Sequence, residues 1–352
     1  MRALVAMSGG VDSSVAAALM LREGHEVVGA TMKLWGGPSD SGCCSVADVE
    51  DARRVCQQLG IVHHVFNFTT EFDRDVVSPY VAAHAQALTP NPCIACNAHL
   101  KFGRFWQRAR QLGFDAMATG HHARITASGG TFQLRRGRDA AKDQSYVLYM
   151  LGQEQLAGVR LPIGDLTKEQ VRELAADLRL RTAAKPDSQD VCFISKATGR
   201  EGFLGQRIPI GPGRLVTPAG QDVGGVAALE LVTVGQRRGL GQVASSAPER
   251  RYVVNVDLAG RTATLGSLAE LLVREVRLGE LCWSQPEPAP AARLEVQLSA
   301  HGRPVAARWE GGQGVGRLVL DEPVRRVAAG QAVVLYGPDT GGDIVLGGGT
   351  AL

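Results

Sequence analysis

Three cysteines and one glycine-rich turn carry the reactive chemistry of this sequence. Cys93 and Cys96 stand in Thr89-Pro90-Asn91-Pro92-Cys93-Ile94-Ala95-Cys96-Asn97, and Cys192 in Lys185-Pro186-Asp187-Ser188-Gln189-Asp190-Val191-Cys192-Phe193-Ile194. A thiolate is both nucleophile and metal ligand. By itself the C-x-x-C pair reads as half a zinc site, a redox pair or two buried hydrophobes, and no second C-x-x-C completes a zinc site. Cys192 reads equally as a core cysteine or a reactive thiol. The turn is Ser8-Gly9-Gly10-Val11-Asp12-Ser13-Ser14. Glycines there let a ligand approach the backbone, a helix N-terminus behind them offers unpaired N–H groups to an anion, and three serine hydroxyls add donors. Asp12 could share a magnesium ion with phosphate oxygens. Gly-Lys-Ser/Thr and G-x-G-x-x-G are both missing, which excludes a P-loop and a dinucleotide turn.

The elements that must position these groups follow from pattern. An apolar run, Leu4 to Met7, enters the turn as a strand, and the alanine-rich run Val15 to Leu21 leaves it as a helix. That is where an open α/β sheet places its ligand. Val27 to Met32 predicts a second, parallel strand, with Met32 at its ligand end. Ser45-x-x-Asp48 predicts a helix start running to Leu59, and Ile61 to Phe68 a third strand. The two prolines before Cys93 predict an extended approach, with helical periodicity from His99 to Leu112, so that the cysteines sit on a rigid turn at a helix start where the dipole favours a thiolate. Phe114 to Thr119 predicts a strand ending at Gly120, which sets His121 beside the ligand; Thr126 to Arg136 predicts a hairpin. Lys142, Asp143 and Gln144 follow it and suit a polyanion contact. Thr167 opens a helix to Leu178, and Cys192 is expected where a polar loop enters a strand. Cys43 and Cys44 are read as bystanders in the loop Gly36 to Cys44. From about Phe203 short Val-rich segments punctuated by Gly and Pro predict β structure, including Leu231 to Val234, with barrel strands at Leu294 to Leu298, Gly316 to Leu320 and Ala332 to Leu335.

The chain has 352 residues, 45% of them apolar, and a net charge of +3, with no long basic run. Two or three domains are expected, with only a mild tilt toward polyanions. Seven cysteines with no signal-like segment predict a reducing compartment, by default the cytoplasm. No apolar run is long enough to span a membrane.

The turn is similar, residue for residue, to the loop of the PP-loop ATP pyrophosphatases. Over nearly its full length the chain resembles the bacterial tRNA-specific 2-thiouridylases, the MnmA family. The motifs fall in that family's order: SGGVDSS, TPNPCIACN with LKFG, TGHHARI, KDQSYVL, KPDSQDVCFI, TVGQRRGLG and a final GQ…VLGGG. The resemblance implies an α/β fold: a parallel-sheet PP-loop domain (1–203), a small central β-rich domain (204–274) and a C-terminal β-barrel-like domain (275–352) that touches tRNA. It implies that ATP adenylates the C2 oxygen of the wobble uridine, pyrophosphate leaves, and sulfur replaces the activated oxygen. Cys192 would carry a persulfide and Cys96 would be the nucleophile that releases its sulfur by forming a disulfide.

The same resemblance assigns ATP to Ala6, Met7, Ser8, Gly9, Gly10, Val11, Asp12, Ser13, Met32 and Gly120, with Mg2+ as its counterion. It assigns tRNA to Asn91, Pro92, Cys93, His121, Lys142, Asp143, Gln144 and Gln331. A sulfur donor, either a cysteine desulfurase or a sulfur-relay protein, is implied as a partner. Three departures stand out. Cys93 replaces an Asp present in many relatives, Gly224-Gly225-Val226 lacks a histidine often found there, and Ser299-Ala300 replaces an Arg-Tyr pair. Three alternatives remain open on sequence: an iron–sulfur cluster on Cys93, Cys96 and Cys192, another PP-loop ATP-dependent ligase, and a non-catalytic RNA-binding protein that holds ATP as a structural ligand.

Overall fold

The structure is a computed structural model that describes residues 1–35, 45–187, 191–195, 197–241, 251–312, 314–337 and 342–352. Cys43, Cys44 and 188–190 therefore lie outside the described residues. Five parallel strands form the first sheet: β1 (Arg2–Ala6), β2 (Glu26–Lys33), β3 (His63–Asn67), β4 (Ala116–Ala118) and, after the hairpin β5 (Ala123–Ser128) and β6 (Thr131–Arg136), β7 (Val159–Arg160). Their order is β3-β2-β1-β4-β7. The chain thus builds outward on one side of β1 and then crosses to the other, leaving a crevice at the carboxyl ends of β1 and β4. Alternation along β1 divides the core. Ala3 and Val5 face a cluster with Val15, Ala16 and Met20 of helix Val11–Arg22, and with Val171 and Ala175 of helix Lys168–Asp177. Leu4 and Ala6 face a second cluster, built on Phe72, Phe105 and Trp106. Each large side chain buried this way contributes roughly 1.5–3 kcal/mol.

Helix starts follow local chemistry. Ser45 caps helix Val46–Gln58 in a reciprocal capping box with Asp48, and Thr167 does the same with Gln170 for helix Lys168–Asp177. Two readings need correction. The helix bearing the cysteines begins at Pro92, about two turns earlier than its periodicity from His99 indicated, because a proline at the first helical position loses no hydrogen bond and Asn91 Oδ1 accepts from Cys93 N at 3.0 Å. From Cys96 to Phe105 it widens to π geometry. And Val191 to Ile194 is a turn, closed by Ile194 N donating to Val191 O at 3.0 Å, rather than a strand. Its apolar residues are there to be buried: Phe193 packs among Trp35, Phe72, Tyr80 and Phe203.

Beyond helix Gly199–Gly205 come β8 (Gly213–Val216), β9 (Asp222–Val226), β10 (Tyr252–Asp257) and β11 (Thr262–Gly266), in a sheet of order β10-β11-β8-β9. Leu231 to Val234 joins no strand; Leu229–Leu231 is a 3-10 turn. β12 (Leu272–Trp283), β13 (Arg293–Gln297), β14 (Val305–Glu310), β15 (Gly316–Arg325), β16 (Ala332–Tyr336) and β17 (Val345–Ala351) then close a barrel in the order β12-β15-β14-β13-β16-β17. The barrel is fused to the first sheet's core. Ala332, Val334, Tyr336 and Val345 belong to the same cluster as Leu4, and Tyr146 Oη donates to Ala332 O at 2.6 Å. Arg124 and Arg135 of the hairpin each reach Asp343 at 2.8 Å. No helix among the described residues is long and apolar enough to cross a membrane.

Candidate active site

At the crevice between β1 and β4 lies a cavity of about 670 Å³, in the size range of small-ligand sites. Its floor is the glycine-rich turn. Gly9 has φ of +72°, and a Cβ there would lie 2.3 Å from Asp48 O, so conformation and space both require glycine. Gly120 closes the floor from β4: its Cβ would lie 2.6 Å from Asp12 C and Ser13 N. Hydroxyls brace the turn from within. Ser8 N donates to Ser13 Oγ (3.2 Å), and Ser13 Oγ and Ser14 Oγ donate to Gly10 O (3.1 and 2.8 Å). Ser14 is fully buried and also accepts from Thr182 Oγ1 at 3.0 Å. It stiffens the loop instead of offering the free donor expected from the sequence.

The walls carry a network of fixed charges. Lys168 Nζ sits 2.7 and 2.8 Å from the two Asp12 oxygens and 2.8 Å from Asp187, while Lys142 Nζ reaches Asp187 at 2.8 Å. Lys185 Nζ donates to Gly9 O (3.0 Å) and pairs with Asp48 (2.6 Å) and Asp51 (2.8 Å), so a lysine at the far end of the domain pins the turn. Burial pushes the Asp12 carboxyl up, but hydrogen bonds and charge from His122 and Lys168 outweigh it and leave it below the ordinary range. Asp187 follows the same balance: burial raises it, Lys142 and Lys168 bring it down to about 2. Both are carboxylates at neutral pH. His121 is buried, 2.7 Å from Thr119 Oγ1 through Nδ1, and desolvation, then the charges of Lys101 and His122, hold it well below the usual imidazole range. It is neutral at pH 7.

Of the ATP candidates, Ala6, Met7, Ser8, Gly10, Val11, Asp12, Ser13, Met32 and Gly120 line this cavity, and Gly9 lies within the same turn. His121, Lys142, Asp143 and Gln144 line it too. The Asp143 carboxylate is committed to Arg136, Gly137 N and Ser145, and Gln144 Oε1 accepts from His122 N at 2.9 Å, so both shape the wall. The remaining candidates lie elsewhere. Cys93 is exposed in the first turn of its helix; Cys96, one turn on, is buried, and Cys192 is half-buried against the hydrophobic cluster that includes Cys96. The dipole effect fades beyond the first turn, so it acts on Cys93 more than on Cys96, contrary to the expectation for the pair. Asn91 and Pro92 open that helix, and Gln331 sits where the barrel meets the preceding segment, Thr89 N donating to Ala329 O at 2.8 Å. Among the described residues no group of three or more His, Cys, Asp or Glu side chains is arranged to hold a metal ion, so a three-cysteine cluster does not fit the thiols as placed. Mg2+ needs less, since one or two carboxylates plus phosphate oxygens hold it, and Asp12 lines the cavity beside the turn.

Residues 1–196 match the model of the tRNA methyl transferase HUP domain, and 273–351 that of the aminomethyltransferase β-barrel domain. Curated relatives match from end to end. The tRNA-specific 2-thiouridylase MnmA of Corynebacterium efficiens is 44% identical, covering 99% of this chain and 98% of its own. That of Salinispora arenicola is 46% identical with the same coverage, and that of Chloroflexus aurantiacus 45% identical over 98% and 97%. The chain belongs to the tRNA-specific 2-thiouridylase family.

Within this 2-thiouridylase chain, several cavity residues escaped the sequence reading, among them Lys168, Lys185, Thr31 and His301. Lys185 opens a quoted motif and Lys168 follows a helix cap, but no spacing rule ties either to a turn more than 150 positions away. Thr31 Oγ1 donates to Met7 O at 2.8 Å, locking β2 to the start of the turn. His301 comes from the barrel, on the loop after β13, where Gln297 Nε2 donates to Ser299 O and Ala300 O (3.1 and 3.2 Å). That loop holds the Ser299-Ala300 departure, so the barrel does reach the cavity, with a histidine.

Proposed function

We propose that this chain uses ATP and a persulfide sulfur to convert the wobble uridine of tRNA to 2-thiouridine. One observation carries the reading: a single cavity joins a phosphate-binding turn, the His121 and Lys142–Gln144 wall and a barrel loop, and both candidate cysteines pack into the hydrophobic cluster that also holds Ala6 and Met32 of that cavity. The uridine leaves its stack to enter, at a cost of a few kcal/mol that is least in a loop. Its C2 oxygen attacks the α-phosphorus of ATP, the phosphoanhydride breaks and pyrophosphate departs. Helix N–H groups at the turn and the ammonium groups of Lys168 and Lys185 are fixed charges that need no reorganisation as charge develops. Asp12 would hold Mg2+ against the phosphates, which would offset charge on the leaving pyrophosphate.

The terminal sulfur of a Cys192 persulfide then attacks C2, and AMP leaves. Cys96 attacks the inner sulfur, so that a Cys96–Cys192 disulfide forms, the sulfur stays on the base, and a dithiol reductant restores both thiols. Neutral His121 acts as a hydrogen-bonding group at the base, with Asn91, Pro92 and Cys93 at its rim, while Lys142, Asp143, Gln144 and Gln331 belong to the tRNA contact. Sulfur comes from a cysteine desulfurase or a relay protein in the cytoplasm. Three units, 1–203, 204–274 and 275–352, divide the work, a division supported by the five-stranded sheet, the four-stranded sheet and the closed barrel. Asp12→Ala tests the activation step: pyrophosphate release in the presence of tRNA should vanish while tRNA binding by filter assay persists. Undiminished release would refute it.

A further inference from the structure

A second cleft, of about 350 Å³, shares no lining residue with the nucleotide cavity. It runs between the two cysteine-bearing segments. Pro92, the first residue of the helix that carries Cys93 and Cys96, forms one wall; Val191 and Ile194, which bracket Cys192 in its turn, form another. Tyr80, His84 and Arg200 complete it. His84 is only 3% exposed, its ring 4.5 Å from that of Tyr80, and its side chain makes no hydrogen bond to any described residue. A buried imidazole that borders a cleft and bonds to no described residue through its ring nitrogens leaves donor and acceptor capacity for a ligand. Burial, reinforced by the charge of Arg200, pushes it down to about 4, so the ring entering the cleft is neutral. Arg200 supplies the positive charge and is anchored by Nη2 donating to Leu231 O at 3.2 Å.

Resting on the function proposed above, we propose that this cleft receives the terminal sulfur of a cysteine persulfide presented by a donor protein and passes it to Cys192. Apolar walls with one guanidinium and one neutral N–H suit a large, weakly hydrated sulfur anion better than a phosphate, which demands several donors. The step balances: the Cys192 thiol attacks the terminal sulfur of R–S–SH, the donor's S–S bond breaks, a new S–S bond forms at Cys192, and R–SH leaves with the proton Cys192 gave up. His84 donates a hydrogen bond to the departing sulfur and Arg200 offsets its charge.

The test loads the full chain, without ATP or tRNA, from two probes: a protein carrying a single labelled cysteine persulfide, and glutathione persulfide. Labelled Cys192 is read by peptide mass spectrometry after alkylation. Loss of a charge-assisted hydrogen bond should slow loading of Arg200→Glu and His84→Phe from the protein donor about tenfold or more. His84→Gln, which keeps an N–H donor, should retain most of the rate, and tRNA-dependent pyrophosphate release should be intact in all three. Wild-type loading rates in Arg200→Glu and His84→Phe, with 2-thiouridine still formed, overturn the cleft alone. Slowing with glutathione persulfide but not with the protein overturns the protein donor. A wild-type chain that forms no 2-thiouridine from either probe overturns both this inference and the function it rests on.

Discussion

Gly120→Ala isolates the geometry of the phosphate turn from its chemistry. The backbone of Gly120 has no left-handed φ, so alanine is conformationally acceptable there; the obstacle is space. Its Cβ would stand 2.6 Å from Asp12 C and Ser13 N, and ordinary contact begins at 3.4 Å, so β4 and the turn must separate by about 0.8 Å. The atoms in the way are backbone at the first turn of a buried helix and cannot rotate aside. Overpacking of this kind costs about 1–3 kcal/mol. A displacement near 1 Å of groups that hold the reacting phosphates costs about a hundredfold in rate. Gly129→Ala serves as the control. Gly129 has φ of +57° at the hairpin tip with nothing within 4 Å, so alanine brings strain of about 1 kcal/mol without touching the turn. Thermal denaturation and tRNA-dependent pyrophosphate release should therefore dissociate: both proteins lose stability, and only Gly120→Ala loses rate by about two orders of magnitude. Equal rates in the two variants would refute the claim that the β1–β4 crevice holds the phosphates.

Cys96→Ser and Cys192→Ser should abolish 2-thiouridine formation while leaving pyrophosphate release, because activation precedes sulfur transfer; Cys93→Ala should stay active, and a dead Cys93→Ala enzyme containing stoichiometric iron after anaerobic purification would restore the cluster. Lys185→Ala leaves Asp48 without this cation and Asp51 with Arg181 alone, and frees Gly9 O; a cost of about 1–3 kcal/mol and weaker ATP binding by calorimetry are expected, and unchanged ATP affinity would remove Lys185 from the turn. The acid limb of stability should show Asp187: its carboxyl, ordinarily at 3.8, is held at about 2 by burial opposed by the stronger pull of Lys142 and Lys168, so its stabilisation is full above pH about 4 and is lost as pH falls toward 2. Asp187→Asn should flatten that limb, and an unaltered acid profile would contradict the network. Affinity for tRNA should fall with rising salt, since phosphate contacts release counterions, and a flat salt dependence would argue against a basic clamp.

What could be read in advance was whatever is local. A strand of alternating faces, a Gly-Gly turn, and Ser45 or Thr167 three residues before a matching Asp or Gln each specify a conformation within a few positions. Where the reading failed, a long-range term decided. Val191 to Ile194 has strand-like composition, but an aromatic cluster assembled from Trp35, Phe72, Tyr80 and Phe203 buries Phe193 from a turn. The change of texture near Phe203 marks where β structure takes over, but nothing local to it shows that Tyr336 and Val345 complete the core around Tyr146. Lys168 on Asp12 and His301 at the cavity depend on elements brought together only by the fold. Asp12 itself shows the limit: its residue type suggested a magnesium ligand, and only the structure shows that Lys168 pairs with both of its oxygens.

The most direct test of the central claim is a single-turnover reaction. The full chain, preloaded with labelled persulfide on Cys192, is mixed with ATP and unmodified tRNA, and nucleosides, AMP and pyrophosphate are quantified together. Equal amounts of labelled 2-thiouridine, AMP and pyrophosphate, with a Cys96–Cys192 disulfide left in the protein, are expected. Pyrophosphate released without label in uridine, or label transferred without ATP, would contradict the account.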